Sequence, residues 1–341
     1  MATLGGSVLT LADWAKLQDP DGKTAVVAEV LSQSNQILDE MLWKEGNLPT
    51  GEQTTVRTGL PSTFWRLINQ GTPKAKSTTA QITENTGMLV ARSEVDKDEA
   101  ELNGNTNDFR MMESIAFMQG MSQEFASTLM YGSAASPEEF VGFSNRYNDL
   151  SAANGQNIID AGGTGSDNSS IWLVGWGPRT VFGVFPKGSN AGLSHTDLGE
   201  GDAFDSNDDR FRAFMDEYKW KGGLVVKDWR YAVRVANIDI SVLIADSDGS
   251  TTNLLELMLD AIHRLPSDAG SHRAPTMDFM PPINASFYVN RTVGKMLDIQ
   301  AMNKSNLHLK VDNEEGNQKL SLRGIPIRTV DALTEAEAQV T

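Results

Sequence analysis

The period of the apolar positions changes several times along the chain, and each change marks an element. Residues 24–43 repeat at helical spacing, with Val27, Val30, Leu31, Leu38, Met41 and Leu42 on one stripe. Ahead of them, TLADWAKLQDP places Thr10 and Asp13 as a capping box and Pro20 as a stop. The pattern predicts two helices of an arm that needs a surface to lie on. From Thr54 to Asn69 it turns strand-like (Val56, Phe64, Trp65, Leu67, Ile68), broken by Gly59 and Pro61, and it is strand-like again from Met88 to Val95. Between these lies NQGTPKAKSTTAQITENTG (69–87), where only Ala75, Ala80 and Ile82 are apolar. This predicts a two-stranded ribbon with a polar tip, about fifteen residues per arm and roughly 50 Å of reach at ~3.3 Å per residue. Two strands alone bury too little to be stable in water, so something else must hold the ribbon.

Asp108 as N-cap and Gly132 as stop predict a long helix of about 24 residues, ~36 Å. Met112, Ile115, Met118, Phe125 and Leu129 share one face, broadened by Met111, Phe117 and Met121. A methionine stripe of this kind is expected to fill an irregular core. Strands are predicted at 171–176, 180–185, 209–220 and 223–240. One helix opens at Asn253 and Glu256 and closes at Arg264 and Pro266, and another spans 290–303. The end, LHLKVDNEEGNQKLSLRGIPIRTV (307–330), reads as a hairpin with an acidic turn at Asp312–Gly316, then another strand. No internal repeat is present.

Composition adds limits. The chain has 341 residues, 40% hydrophobic and 22% charged, an ordinary globular balance. No apolar run approaches the roughly 18–20 residues of a membrane-spanning helix. The N-terminus MATLGGSVLTLADW lacks the basic region of a signal peptide, so a soluble protein made and kept in a cytoplasm is expected. Absence of cysteine removes disulfides, thiolate metal sites and a cysteine nucleophile. The net charge of −16 repels nucleic acid as a whole. Its distribution is uneven. Between Gln53 and Thr83 the only charged residues are Arg57, Arg66, Lys74 and Lys76, whereas between Asp197 and Glu217 eight acids face Arg210 and Arg212. Such segregation suits charge complementarity between copies.

Motifs for chemistry are missing. AGGTGSDNSS (161–170) is glycine-rich without the lysine or spacing of a phosphate loop. His195, His263, His272 and His308 have no metal-ligand spacing. Asp246-Ser247-Asp248-Gly249 has its glycine too early for a calcium loop, and Leu257 stands at position 12, so it reads as a turn before a helix. The acidic run 197–209 reads as a solvated loop. No G-x-S-x-G elbow exists. No catalytic, cofactor or metal residues are assigned, and a hydrolase using Asp and Glu is the weaker alternative.

The sequence resembles the major capsid proteins of tailed bacteriophages, with their Hong Kong 97-type fold, most of all the Epsilon-15-like and Bordetella short-tailed phage group. The likeness runs in order through DPDGK (19–23), MLWKEGNLPTGEQTTVRTGLP (41–61), ELNGNTNDFR (101–110), PEEFVGF (137–143), AGGTGSDNSSIWLVGWG (161–177), VKDWRYAVRVANIDIS (226–241), SFYVNRTVGKML (286–297) and LRGIPIRTVDAL (322–333). It implies an α+β fold with an N-terminal arm (1–50) and an extended loop (51–95) lying over a neighbouring subunit. A peripheral domain (96–140 and 306–330) would carry the spine helix 108–131, and an axial domain would comprise 141–305 and 331–341. It implies assembly into hexamers and pentamers of an icosahedral head around double-stranded DNA, in a virion built in the host cytoplasm. The partners implied are other copies, a separate scaffolding protein, a small cement protein and the portal. DNA would be held by containment, with no cofactor, membrane or catalysis. Because the first helix begins near residue 10, no cleavable scaffolding segment is expected. Arg57, Arg66, Lys74, Lys76 and Ile82 are the candidate contacts on the loop, with Asp312, Glu314 and Glu315 facing them from the adjacent hairpin. The lysine–asparagine cross-link of some relatives is not carried over, since no catalytic acid is identified. A bacterial encapsulating shell of the same fold is the alternative.

Overall fold

A computed structural model describes residues 33, 35–101, 106–204, 209–246, 249–266, 283–303, 309–314 and 317–341, with backbone only for 309–319. A single helical turn, Ile37–Glu40, precedes strands β1 (Trp43–Glu45), β2 (Gly51–Gly59), β3 (Thr78–Asn85) and β4 (Gly87–Asp96). The short helix Lys97–Glu101 and the long helix Thr106–Tyr131 follow, then β5 (Ile158–Asp160), β6 (Asn168–Trp176) and β7 (Val181–Phe185). After the hairpin of β8 (Leu193–Phe204) and β9 (Arg210–Val226) come β10 (Ala232–Asp239) and helices Ile240–Ala245 and Leu254–Arg264. β11 (Asn284–Val289), helix Arg291–Asn303, β12 (Leu309–Glu314), β13 (Asn317–Leu322) and β14 (Ile325–Thr329) complete the chain. The described elements form two compact units, one from Met88–Ala126 and Gly192–Lys221, the other from Ser34–Gly87, Ser127–Ala191 and Gly222–Thr341.

In the larger unit β6 is central. It pairs antiparallel with β11 (Phe287 opposite Leu173) and with β10 (Val233 opposite Leu173). β14 adds to β11 in parallel, and β5 to β10. Every residue of β6 is buried, which is why its IWLVGW part reads as a continuous apolar run rather than an alternation. Aromatic rings pack at its end. Trp172 lies 5.5 Å from Phe143 and 5.8 Å from Tyr147, and the Trp176 indole donates to the Tyr288 hydroxyl (2.7 Å). That hydroxyl donates in turn to Glu40 (2.9 Å). Burial, with the Glu40 carboxylate beside it, pushes the Tyr288 hydroxyl up, so it stays a donor.

The C-terminal tail is tied to this core by polar groups. Glu337, 6% exposed, takes hydrogen bonds from Arg234 (2.8 Å), from the Tyr131 hydroxyl (2.7 Å) and from Ser170. Arg234, 2% exposed, uses its remaining donors on Ser170 Oγ (3.0 Å) and the Tyr147 carbonyl (2.7 Å). The Asn237 amide pairs with both backbone groups of Val340, as a strand would, at 2.8 and 2.9 Å. A buried ion pair is tolerable only when the remaining donors and acceptors are filled, as they are here. The long helix ends where Gly142 donates to the Gly132 carbonyl (2.9 Å), and a Cβ on Gly142 would stand 2.6 Å from the Thr128 oxygen.

The smaller unit holds the β8–β9 hairpin, with β4 beside β9, and the first five turns of the long helix. Val95, Ala100 and Phe109 form its core with Phe214 packed against them, and Phe125 stacks on Trp220 at 4.4 Å. Asp197, Glu200, Asp202, Asp216 and Glu217 are each met by a cation. Arg110 bridges Asp197 and Asp216 at 2.9 Å each, and Asp202 faces Arg212 across the hairpin (3.4 Å).

Several expectations change. Of the helix 24–43, only Ile37–Glu40 is helical among the described residues. Met41 leaves the helix (ψ 125°), and Trp43–Glu45 pairs with β7 instead. The first helix, 10–20, lies outside the described residues. The solvated loop expected at 197–209 is strand through Phe204, because cross-strand cations compensate its acids. The strands expected at 209–220 and 223–240 divide elsewhere: Gly222 and Gly223 lie inside β9, and the break falls at Asp228, whose carboxylate accepts from Arg230 N. Gly223 is needed where it stands, since a Cβ there would sit 2.8 Å from the Asn85 carbonyl.

Candidate assembly surface

The ribbon of the larger unit differs from the one expected. β2 pairs not with residues 88–95 but with Thr78–Asn85, inside the stretch read as a polar tip. Residues 87–96 form β4, beside β9. Thr78, Thr79, Ile82 and Thr83 are β-branched, which suits a strand. Their polarity reflects a strand with water on both faces. The arms are nine and eight residues long, so the paired part reaches about 30 Å rather than 50 Å. The tip is the irregular loop 60–77.

The root of the ribbon is firmly held. Arg146 grips both oxygens of Glu84 (2.6 and 2.7 Å) and also donates to the carbonyls of Val141 (3.2 Å) and Leu224 (3.3 Å). Asn47 pairs through its amide with both backbone groups of Gln53 (2.7 and 2.8 Å), and the buried Glu52 accepts from Asn47 N (2.8 Å). Burial then fades outward along β2, and every residue from 60 to 83 is exposed. Leu60, Phe64, Leu67 and Ile68 stand in solvent, and Trp65 is 105% exposed. Covering each would contribute about 1.5–3 kcal/mol, which one copy of the chain forgoes. Asn69, at φ 70°, turns the loop, aided by Gln70 N to the Leu67 carbonyl (3.2 Å) and Arg66 Nε to the Gln70 carbonyl (2.6 Å).

Arg57, Arg66, Lys74, Lys76 and Ile82 therefore all lie on this ribbon and its loop, exposed. Arg57 is opposite Thr79 and Ile82 opposite Thr54. Among the described residues none of the four cations has a carboxylate partner. Asp312 and Glu314 lie on β12, in register with Lys319 and Asn317, and Glu315 lies outside the described residues. The loop aromatics were missed as contact residues. The run FWRLI between Pro61 and a polar stretch was their signal, an apolar cluster without strand or helix partners.

A second apolar surface lies in the smaller unit. The methionine stripe expected as core filler is only partly so: Met111 (65%), Ile115 and Met118 are exposed, while Phe109, Met121, Phe125 and Leu129 are buried. A groove of about 360 Å³ runs between β4 and the helix, lined by Leu89, Ala91, Phe117 and Met121. The remaining motifs serve local structure. Asp246 spends its carboxylate on the backbone of Ser250, Thr251 and Thr252 (3.1, 2.5 and 3.0 Å). His195 pairs with Asp216 (2.8 Å) and His263 lies 3.3 Å from Arg323; His272 and His308 lie outside the described residues. No three His, Asp or Glu side chains among the described residues are grouped to hold a metal ion, and no described helix is long and apolar enough to cross a membrane.

The chain is similar to a chain of the cryo-EM structure of bacteriophage Epsilon15, 31% identical over 100% of both chains with a TM-score of 0.77. It also matches the capsid of bacteriophage JBD30 (8% identity, 96% of this chain and 99% of that one, TM-score 0.49). A third match is the SrpI encapsulin of Synechococcus elongatus PCC 7942 (10% identity, 68% and 96%, TM-score 0.41). No curated protein matches. The α+β fold is thus that of the Hong Kong 97-like phage capsid proteins, and the class is a structural subunit of a virion shell that assembles with its own copies. The profile of the family Major capsid protein GP7 matches residues 19–341, and the chain belongs to that family.

Proposed function

We propose that the chain closes into hexamers and pentamers of an icosahedral head that holds double-stranded DNA, without turnover or cofactor. The observation that carries this is the ribbon, anchored at its root by Arg146 and Glu84 yet exposed over residues 60–83, Trp65 included. In this reading residues 1–50 are the arm and 51–95 the extended loop laid over a neighbour. Residues 96–140 and 306–330 form the peripheral domain with the spine helix, and 141–305 with 331–341 the axial domain. Scaffolding protein, cement protein and portal are the further partners, and DNA is held by containment. The net charge of −16 favours a lining that does not adsorb DNA.

Size-exclusion chromatography with negative-stain microscopy tests the reading. Closed shells are expected, with hexameric and pentameric units resolved on averaging; a stable monomer at high concentration refutes it. The basic loop is proposed to meet the acidic turn of an adjacent copy. Reversing charge at Lys74 and Lys76 then lowers shell yield, and reversing Glu314 and Glu315 as well partly restores it. Exposed pairs contribute only ~0.2–1 kcal/mol each, but a closed shell repeats them. Failure of the combined variant to recover refutes that pairing alone.

A further inference from the structure

Beside the outer half of β2, within the larger unit, lies a groove of about 880 Å³. One wall is the ribbon itself, with Val56, Arg57 and Ile82; the other carries Arg179, Lys227 and Arg230. The one carboxylate in the lining, Asp228, is held at both oxygens by Arg230 (2.9 and 2.7 Å). The charge left over is positive, from Arg57 and Lys227. Arg57 and Lys227 have no carboxylate partner among the described residues. Cations that share a groove repel one another, and an anion entering between them is attracted by all at once. In a chain of net charge −16 this is a local inversion of sign.

We propose that the groove receives a carboxylate-rich corner of a second copy, and that this corner is Glu94–Glu101. The inference rests on the self-assembly of the subunit and adds a partner surface to it. Those eight residues carry five acids against the single base Lys97, which is occupied by Glu200 (2.9 Å) and Glu101 (3.9 Å). Glu94, Asp98 and Glu101 are exposed. The corner is also fixed in shape: Val95 and Ala100 are buried in the core of the smaller unit, and Asp96 accepts from Asp98 N (2.8 Å). A turn already fixed in shape loses little conformational freedom on docking. Nucleic-acid phosphate is the other anion such cations attract. The apolar lining, with Val56, Ile82 and Trp229 beside the cations, fits a peptide segment better than a phosphate backbone.

The test is a charge swap in the full chain, with wild-type shells as the control that self-assembly itself holds. The double variants Arg57→Glu with Lys227→Glu, and Glu94→Lys with Asp98→Lys, are each expected to lower shell yield at least about tenfold, because like charges then face each other. The fourfold variant is expected to return within about threefold of wild type, since the attraction is restored with reversed sign. Circular dichroism and the hydrodynamic radius of the free subunits identify a folding defect. If one appears, the neutral pair Arg57→Gln and Glu94→Gln takes the place of the reversals, and a drop in yield that steepens at low salt is then the supporting result. The proposal is overturned if the fourfold variant assembles no better than the worse double. It is equally overturned if Arg57→Glu with Lys227→Glu forms shells at wild-type yield. A loss of nucleic acid from those shells would assign the groove to phosphate instead.

Discussion

The loop 60–77 and the tail 330–341 are both irregular and mix apolar with polar residues, and both belong to the larger unit, yet they are treated in opposite ways. In the tail even a carboxylate is buried, because Arg234, Tyr131 and Ser170 converge on Glu337. In the loop even a tryptophan lies in water. Sequence polarity does not separate them; the supply of partners within the same chain does. The tail is completed by its own subunit, and the loop is left uncovered among the described residues.

The largest effect is expected at the tail. Glu337→Ala leaves Arg234 charged and buried and should cost about 3–5 kcal/mol, read as a lowered unfolding midpoint of the free subunit. A cost under about 1 kcal/mol would mean that the pair does not hold the tail, and the contrast would fail. Next is the joint between ordered body and exposed loop. Arg146→Ala removes a bidentate, partly buried clasp and should cost about 1.5–3 kcal/mol. The loss should appear as faster hydrogen exchange at residues 51–56 and 79–85, with β6 still protected. The smallest effect on the free subunit is expected at the loop. Phe64→Ser with Trp65→Ser should change its stability by less than about 0.5 kcal/mol. The same change should abolish shells, which light scattering would follow. A loop variant that unfolds the free subunit would erase the distinction.

Elements with a buried face were legible from sequence. The long helix was placed within two residues of Thr106–Tyr131, and β6 and the helix Leu254–Arg264 were found, because burial leaves periodicity. The ribbon register was not, since Thr78–Thr83 has no buried face to impose alternation. Phe64 and Trp65 were read as strand residues because apolar side chains imply a partner, and none is present among the described residues. β8 was hidden for another reason: Asp197 and Asp202 are satisfied by Arg110 and Arg212, from other strands or the helix, a pairing no local pattern announces. Arg57, Arg66, Lys74 and Lys76, expected from sequence as contacts to another copy, lie exposed on the ribbon and its loop, and that contact stands as a proposal.

The clasp at the ribbon root has a mechanical meaning. A neighbour that tugs on the loop strains both arms in the same direction, so the rungs joining β2 to β3 carry little of the load. Tension arrives at Glu84, and Arg146 hands it on to the carbonyls of Val141 and Leu224, two separate stretches of backbone. In the proposed shell, a pull on the loop would thus spread across the interior of the larger unit rather than unpick the ribbon.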